Sequence, residues 1–219
     1  MRSQADERAV GAMDPIYLHN ERLADVAFAR ILAAITSGEL AVGDKILDGE
    51  LAAKWGTSKT PIREAVQRLA RLGIVQIRSS RSPQVRRVPG KEVSDTIEYA
   101  THYAAMTLRM VLPQMSATRR SDLADSFTAI AFRLDRDGDV SAAQLAALRL
   151  TFLLSPNSIA RIFATNIDIV SAHALAGVTM GGHDQSSVAE MLTALATAVT
   201  DNDSAASERL VRQHFSPAA

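Results

Sequence analysis

The stretch from Thr57 to Leu72, with the sequence TSKTPIREAVQRLARL, constrains this chain more than any other. Its apolar residues Ile62, Val66 and Leu69 recur at i, i+4 and i+7, which is the spacing of one face of an α-helix. The opposite face is polar and partly basic, and it carries Lys59, Thr60, Arg63 and Gln67. The stretch therefore predicts an amphipathic helix with one apolar and one polar, partly basic side.

The residues around the start of this helix predict a second helix and a tight turn before it. Ser58 is a candidate N-cap, and Pro61 falls in the first turn, where its missing N–H is not needed. Gly56 separates the helix from a short apolar stripe at Leu51 and Trp55, and glycine tolerates the left-handed backbone of a turn. Two helices joined in this way are typical of a helix-turn-helix whose second helix reads DNA. The alternative is a core helix with a solvated basic face.

The charge distribution favours the DNA interpretation. Residues 1–91 hold 15 basic and 10 acidic side chains, a balance of +5, whereas residues 92–219 hold 9 and 14, a balance of −5. Residues 54–87 contain nine bases and one acid. A local positive field suits a polyanion such as DNA. An acidic protein or a membrane surface would also be attracted, but neither needs a pair of helices separated by a turn.

Composition excludes several classes of protein. Aromatic residues make up 5% of a chain rich in Ala and Leu, which favours packed helices. There is no cysteine, so neither a disulfide, a thiol nucleophile nor a Cys-ligated zinc is possible. No signal peptide, membrane span, G-x-S-x-G motif or Gly-rich phosphate loop is present. We expect a cytoplasmic protein that is not an enzyme and that needs no cofactor.

The pattern along the chain predicts a mainly α fold, in which an N-terminal winged helix-turn-helix precedes an all-α antiparallel bundle of about six helices. We predict a first helix from about Glu21 to Ser37, and an antiparallel pair of strands at 74–78 and 84–88 around a basic turn. The predicted domains are a flexible tail at 1–18, the DNA-binding domain at 19–88, a linker at 89–92 and the helical domain at 93–219.

From Arg22 to Val88 the chain resembles the DNA-binding domain of the GntR family of bacterial transcription regulators, with the spacing of its FadR-like branch. The residues that carry this resemblance are Gly38-Glu39-Leu40, Gly43-Asp44, Glu50-Leu51-Ala52, Ser58-Lys59-Thr60-Pro61-Ile62-Arg63-Glu64-Ala65, Leu69 and Gly73-Ile74-Val75. The resemblance implies that Ser58, Lys59, Thr60 and Arg63 contact DNA. It also implies that the helical domain binds an effector and forms a dimer.

The full set of predicted DNA contacts includes the recognition helix and the wing. An arginine fork at Arg63 can bind guanine O6 and N7, and the helix N-terminus suits bases or phosphates. The chain departs from the family at three positions. The family often has Arg in place of Gly49, which implies the loss of one phosphate or base contact, and glycines in place of Ser80 and Ser82. The predicted contacts are Ser58, Lys59, Thr60, Arg63, Gln67, Ser80 and Arg81.

The metal site that many such helical domains hold is not expected here. The family uses one Asp and three His, and the matching positions in this chain are Arg149, Leu153, the vicinity of Leu192 with Glu190, and His214. One retained ligand of four does not hold a metal. A different site built on His102 or His173 remains an open alternative.

Arg149 puts a permanent cation where the family has metal ligands. One hypothesis is therefore a small anionic effector held by Arg149 with help from His214, since an arginine fork matches a carboxylate. The competing interpretation is that Arg149 faces solvent or pairs with an acid such as Asp122 or Asp125.

These observations predict a homodimeric transcription regulator, a repressor, that binds a (pseudo)palindromic operator and responds to a small effector. The alternative is a ligand-independent, architectural DNA-binding protein whose helical domain only dimerises.

Overall fold

The computed structural model describes residues 15–78, 82–176, 178–180 and 182–215, with side chains from residue 23 onward. Backbone contacts divide the chain into two compact units, residues 1–87 and residues 88–219. No helix in these described ranges is long and apolar enough to cross a membrane.

The first unit contains three helices and a two-stranded antiparallel sheet. Helix α3 packs against both α1 and α2, and Val75 of β1 pairs with Val85 of β2. This is the predicted winged helix-turn-helix, with strands shorter than the predicted 74–78 and 84–88. Its elements are α1 (Pro15–Thr36), α2 (Asp48–Trp55), α3 (Lys59–Arg71), β1 (Val75–Gln76) and β2 (Gln84–Val85).

The second unit is all helical in its described residues, as predicted. Helix α5 packs along α8, and α4 packs along α9 and also contacts α6 and α7. A 3₁₀ turn (Leu112–Gln114) follows α4. The six helices are α4 (Gly90–Val111), α5 (Ala117–Asp137), α6 (Val140–Phe152), α7 (Ser158–Ala174), α8 (Gln185–Thr200) and α9 (Ser204–Phe215).

Two helices start earlier than their apolar periodicity predicts. Helix α1 begins at Pro15 instead of about Glu21, and α4 begins at Gly90 instead of Val93. Pro15 and Pro89 explain this difference, because proline at or just before a first helical position provides the required φ angle without losing a hydrogen bond. Residues 90–92 are therefore the first turn of α4.

The helix ends follow local chemistry that is only partly visible in the sequence. Gly56 has a φ of +64°, the left-handed backbone expected of the turn between α2 and α3. Ser58 is the N-cap of α3 but makes no capping bond through its side chain. Helix α2 begins at Asp48, and its N-cap is Leu47. Ser116 does cap α5, since its hydroxyl accepts from the N–H of Arg119.

A buried glutamine fixes the segment between α7 and α8 to the core of the second unit. The side chain of Gln144 on α6 is fully buried. It donates to the carbonyl of Met180 and accepts from the N–H of Met180, both at 2.8 Å. One amide thus satisfies both backbone groups of a buried residue outside any helix, where an unmade hydrogen bond would be costly.

We expect Gln144→Met to lower the free energy of unfolding by about 2–4 kcal/mol, because the substitution keeps the volume but leaves two buried backbone groups unpaired. Urea denaturation would measure this loss. Gln213→Met, at an exposed position of α9, is the matched control and should change stability by less than about 0.5 kcal/mol. Equal effects of the two substitutions would contradict the prediction.

Candidate functional site

Helix α3 buries one side and exposes the other, which places the predicted DNA contacts on one surface. The buried side consists of Pro61, Ile62, Ala65, Val66 and Leu69. The exposed residues recur at the spacing of a single helix face, and each side chain is open to solvent. They are Lys59, Thr60, Arg63 and Gln67, preceded by the exposed N-cap Ser58.

Arg63 is already oriented by an acid from the preceding helix. Its Nε donates to Oδ2 of Asp48 at 2.8 Å, and about two thirds of the Arg63 side chain remains exposed. An arginine has five N–H donors, so this bond leaves the two terminal nitrogens available for a fork. Asp48 is therefore a positioning residue for Arg63, a role that no local pattern in the sequence indicates.

Lys59 lies across the backbone of Gly49. A Cβ atom built at Gly49 would lie 3.5 Å from Cε and 3.7 Å from Nζ of Lys59. The glycine, which the sequence analysis treated as a lost DNA contact, thus lies directly under the side chain of a retained basic residue. Only the three-dimensional proximity of α2 and α3 reveals this contact.

Several of the nine bases in residues 54–87 hold the first unit together. Lys54 pairs with Glu39 at 2.7 Å. Arg68 bonds Asp25 of α1 and stacks on the ring of Phe28, with its guanidinium carbon 4.5 Å from the ring centroid. Arg86 donates to the carbonyl of Gly73. These groups contribute to the positive field and are engaged within the first unit. Lys59 and Arg63 lie on the exposed face of α3, although Arg63 also bonds Asp48.

The base of the wing is built from backbone bonds. Gly73 ends α3 with a φ of +74°, and Ile46 donates to the carbonyl of Pro83 at 2.7 Å. An isolated bridge joins Lys45 to Gln84 beside the paired strands. The predicted wing contacts Ser80 and Arg81 lie outside the described residues.

Arg149 of the helical unit pairs with an acid on the neighbouring helix. Its Nε donates to Oδ1 of Asp168, and its Nη2 lies 2.9 Å from Oδ2. This bidentate pair raises the pKa of Arg149, chiefly through the hydrogen bonds that its guanidinium donates to Asp168. The partner is Asp168 and not the suggested Asp122 or Asp125. Because the fork is occupied, an anionic ligand would have to displace a carboxylate from it.

His214 is buried in a setting that keeps its ring neutral. It stacks on His183 with the ring centroids 3.9 Å apart and meets Phe215 edge to face. Burial, with a smaller contribution from the charge of His183, lowers the pKa of His214 to about 4. Its Nε2 is buried without a hydrogen-bond partner. Arg149 and His214 make no hydrogen bond to each other, so the structure does not join the two predicted effector contacts.

The residues at the family's metal positions do not fit a metal. Leu153 is exposed, Leu192 is fully buried, and Glu190 lies exposed on α8 with Ser186 at 3.4 Å. Within the described part of the chain, no three His, Asp or Glu side chains converge as metal ligands would. His102 contacts Arg212 of α9 through Nδ1, and His173 is half-buried on α7.

Comparison with known proteins agrees with this geometry. Residues 23–85 match the family described as bacterial regulatory proteins, gntR family. Over 67 residues the chain is 36% identical to the Probable D-xylose utilization operon transcriptional repressor of Paenarthrobacter nicotinovorans. That match covers 31% of this chain and 30% of the relative, so the chain matches less than a third of the relative's length.

Two solved structures share the fold over both units. A transcriptional regulator GntR from Rhodococcus sp. RHA1 has a TM-score of 0.69 at 16% identity, over 89% of this chain and 94% of that one. E. coli McbR/YncC has a TM-score of 0.65 at 14% identity, over 88% and 93%. The matching family is described as regulatory proteins, and the relative is described as a transcriptional repressor.

The environment of His214 predicts an acid-sensitive helical unit. An unfolded histidine has a pKa of about 6.5 and takes up a proton before the buried ring does, so stability is full above about pH 6.5 and falls as the pH drops towards 4. Urea denaturation across this range should show a loss on the order of 3 kcal/mol. In His214→Phe this loss should largely disappear, whereas the exposed-histidine control His102→Gln should retain it. An unchanged pH profile in His214→Phe would refute the assignment.

Proposed function

We propose that this chain, which carries a gntR-family domain at residues 23–85, is a sequence-specific DNA-binding transcription regulator, a repressor that acts as a homodimer in the bacterial cytoplasm. The observation that carries this proposal is the exposed face of α3, on which Lys59, Thr60, Arg63 and Gln67 stand opposite a fully packed apolar side. A helix held in this way suits the major groove of a duplex.

The roles of the exposed side chains follow from their chemistry. Arg63, with Nε held by Asp48, presents its remaining nitrogens as a fork for guanine O6 and N7. Lys59 and Thr60 lie in the first turn of α3, where the helix dipole and the unpaired N–H groups favour phosphate. Ser58, the N-cap of α3, lies next to these residues and can contact the same phosphate. Gln67, one helical turn after Arg63, can hydrogen-bond a base edge through its amide. Ser80 and Arg81 remain the proposed wing contacts.

The apolar surface of the helical unit supports the homodimer. Seven of the eight large apolar side chains exposed in its described residues lie on α4, on α7 or at the end of α6. The phenol of Tyr103 on α4 donates to the carbonyl of Ala160 on α7 at 2.8 Å, so these helices are neighbours. We name five of the seven the dimer face: Met106, Met110, Leu153, Ile159 and Ile162.

The size of this face fits a second copy of the chain as its occupant. Its five side chains are each 43–61% exposed, which leaves on the order of 500 Å² of apolar area uncovered. A standard interface buries about 800 Å² on each partner, of which somewhat more than half is apolar. A two-fold dimer would also place two copies of α3 on the half-sites of a palindrome.

A small molecule bound in the helical unit would change operator affinity through a coupling of about 1–3 kcal/mol. Arg149 and His214 were the predicted anchors for an anion, but the Asp168 pair and the neutral ring of His214 weigh against both. The alternative, a ligand-independent architectural protein that uses the helical unit only to dimerise, stays as the second candidate.

Selection of bound sequences from random duplex DNA should return a short inverted repeat. We expect Arg63→Ala to cost about 1–3 kcal/mol on that repeat and to relax the base preference at one position of each half-site. Binding titrations at fixed salt would measure both effects. Arg136→Ala, which removes an exposed arginine of α5, is the control and should bind normally. Recovery of no motif, with salt-sensitive binding alone, would favour the architectural alternative.

The dimer face predicts that Ile162→Arg shifts the protein towards monomers, because a charge buried without a partner in an apolar interface is costly. Sedimentation equilibrium at micromolar concentration would detect the change. Phe132→Arg is a matched control. Among the described residues of the unit, Phe132 is the most exposed large apolar residue, at 68%, and it lies on α5 outside the dimer face. A dimer that survives Ile162→Arg but not Phe132→Arg would place the interface elsewhere.

A further inference from the structure

A groove lies between the first half of α4 and the second half of α7, at the other end of this helix pair from the dimer face. Its volume is about 410 Å³, within the range of small-molecule sites. The two helices run antiparallel, because Tyr103 meets Ala160 while residues 92–99 face residues 163–171. The residues that carry its chemistry are Tyr99, Phe163, Ile167, Val170 and Ser171.

A buried hydroxyl without a partner lines this groove. Ser171 is 1% exposed, and its Oγ makes no hydrogen bond to any described residue. A helical serine commonly satisfies its hydroxyl by donating to the carbonyl four residues earlier, as Ser126 does to Asp122 at 2.8 Å. A buried polar group without a hydrogen bond is unfavourable. A ligand oxygen that accepts from the hydroxyl of Ser171 would therefore gain affinity.

The charged groups at the rim of the groove already have partners. The carboxylate of Asp95 bonds the ammonium of Lys91 at 2.7 Å, one helical turn away on α4. Glu92, the other carboxylate at the rim, is also engaged in an interaction of its own. The residues that line the groove from α7 are all uncharged. Among the described lining residues, a charged ligand would thus meet no unpaired counter-charge, and its desolvation would be uncompensated.

The walls of the groove are apolar and partly aromatic. Tyr99 on α4 is 58% exposed and Phe163 on α7 is 55% exposed, so both offer a large uncovered ring beside the groove. Ile167 and Val170 follow Phe163 at i+4 and i+7, on the same face of α7. Aromatic side chains pack well against other rings, either stacked or edge to face. The walls therefore suit a planar, apolar body, and Ser171 offers it one hydrogen bond.

We propose that this groove binds a neutral aromatic compound that carries one hydroxyl or carbonyl group. The oxygen of that group accepts a hydrogen bond from the hydroxyl of Ser171. The ring packs between Tyr99 and Phe163 and covers Ile167 and Val170. Binding at this site does not depend on the regulatory function proposed above; only its use as the effector site rests on that proposal.

Three probes with the same carbon skeleton and different charge test the inference: 2-phenylethanol, phenethylamine and phenylacetate. Isothermal titration of the full chain at pH 7.5 should detect 2-phenylethanol at one site per chain. The cationic amine and the anionic acid should each bind at least about tenfold more weakly, because each would lose hydration without gaining a counter-charge. Absent binding of 2-phenylethanol, or equal or tighter binding of either ion, would overturn the proposal.

The role of Ser171 is tested with a fourth probe, ethylbenzene, which has the ring but no hydrogen-bonding group. Ser171→Ala should weaken 2-phenylethanol several-fold and should change the affinity for ethylbenzene by less than about twofold. The thermal midpoint should not fall, since the substitution removes a hydroxyl that has no partner in the protein. An equal loss for both probes, or no loss for 2-phenylethanol, would contradict the proposed hydrogen bond.

A pair of phenylalanine variants locates the binding within the groove. Phe163→Ala should weaken both neutral probes about tenfold, because it removes one aromatic wall. Phe132→Ala removes an exposed ring of α5 outside the groove and should leave the affinity unchanged. Undiminished binding by Phe163→Ala would place the probes elsewhere. If no probe binds and Phe163→Ala sediments as a monomer, a second copy of the chain covers the groove and the proposal fails. Because no DNA is present, failure here leaves the proposed DNA binding untouched.

Discussion

The packing of α3 against α1 and α2 is the constraint on which the proposed function depends. Burial of Ile62, Val66 and Leu69 fixes the rotation of α3 about its own axis. This rotation determines the direction in which the side chains on the opposite face of the helix point. Arg68, at the edge of the contact between α3 and α1, adds a bond to Asp25 and stacks on the ring of Phe28. A one-residue change in the apolar spacing would turn Arg63 about 100° away from a bound duplex.

In the second unit, polar groups of the interior are hydrogen-bonded, whereas part of the outer surface has exposed apolar side chains. Inside, the side chain of Gln144 pairs both backbone groups of Met180. Outside, apolar side chains on α4 and α7 remain uncovered, and beside them Ser171 keeps a buried hydroxyl without a partner. Proteins rarely leave both kinds of group unsatisfied in one place unless a partner or a ligand completes them. We infer that this helix pair is where the unit meets other molecules.

Periodicity and turn residues were sufficient to predict the architecture. The apolar stripe of α3 and the glycine before it predicted the helix pair. The early start of α4 at Gly90 was missed because its first turn carries no apolar residue to extend the stripe. The exposed face of α3 also followed from sequence. Contacts between residues distant in the chain could not be predicted from the sequence. The pairs Arg63–Asp48 and Arg149–Asp168 have no local sequence pattern, because many other acidic residues could have been the partner of each arginine.

The contact between Gly49 and Lys59 means that the two positions cannot be varied independently. The backbone of Gly49 lies next to the side chain of Lys59. A Cβ atom added at residue 49 would already be in van der Waals contact with that side chain. A long cationic side chain placed at residue 49 would have to displace the side chain of Lys59. The substitution would therefore not necessarily add a DNA contact, because the contact made by Lys59 could be lost. Redesign of operator preference in this chain should therefore treat residues 49 and 59 as a single two-residue unit.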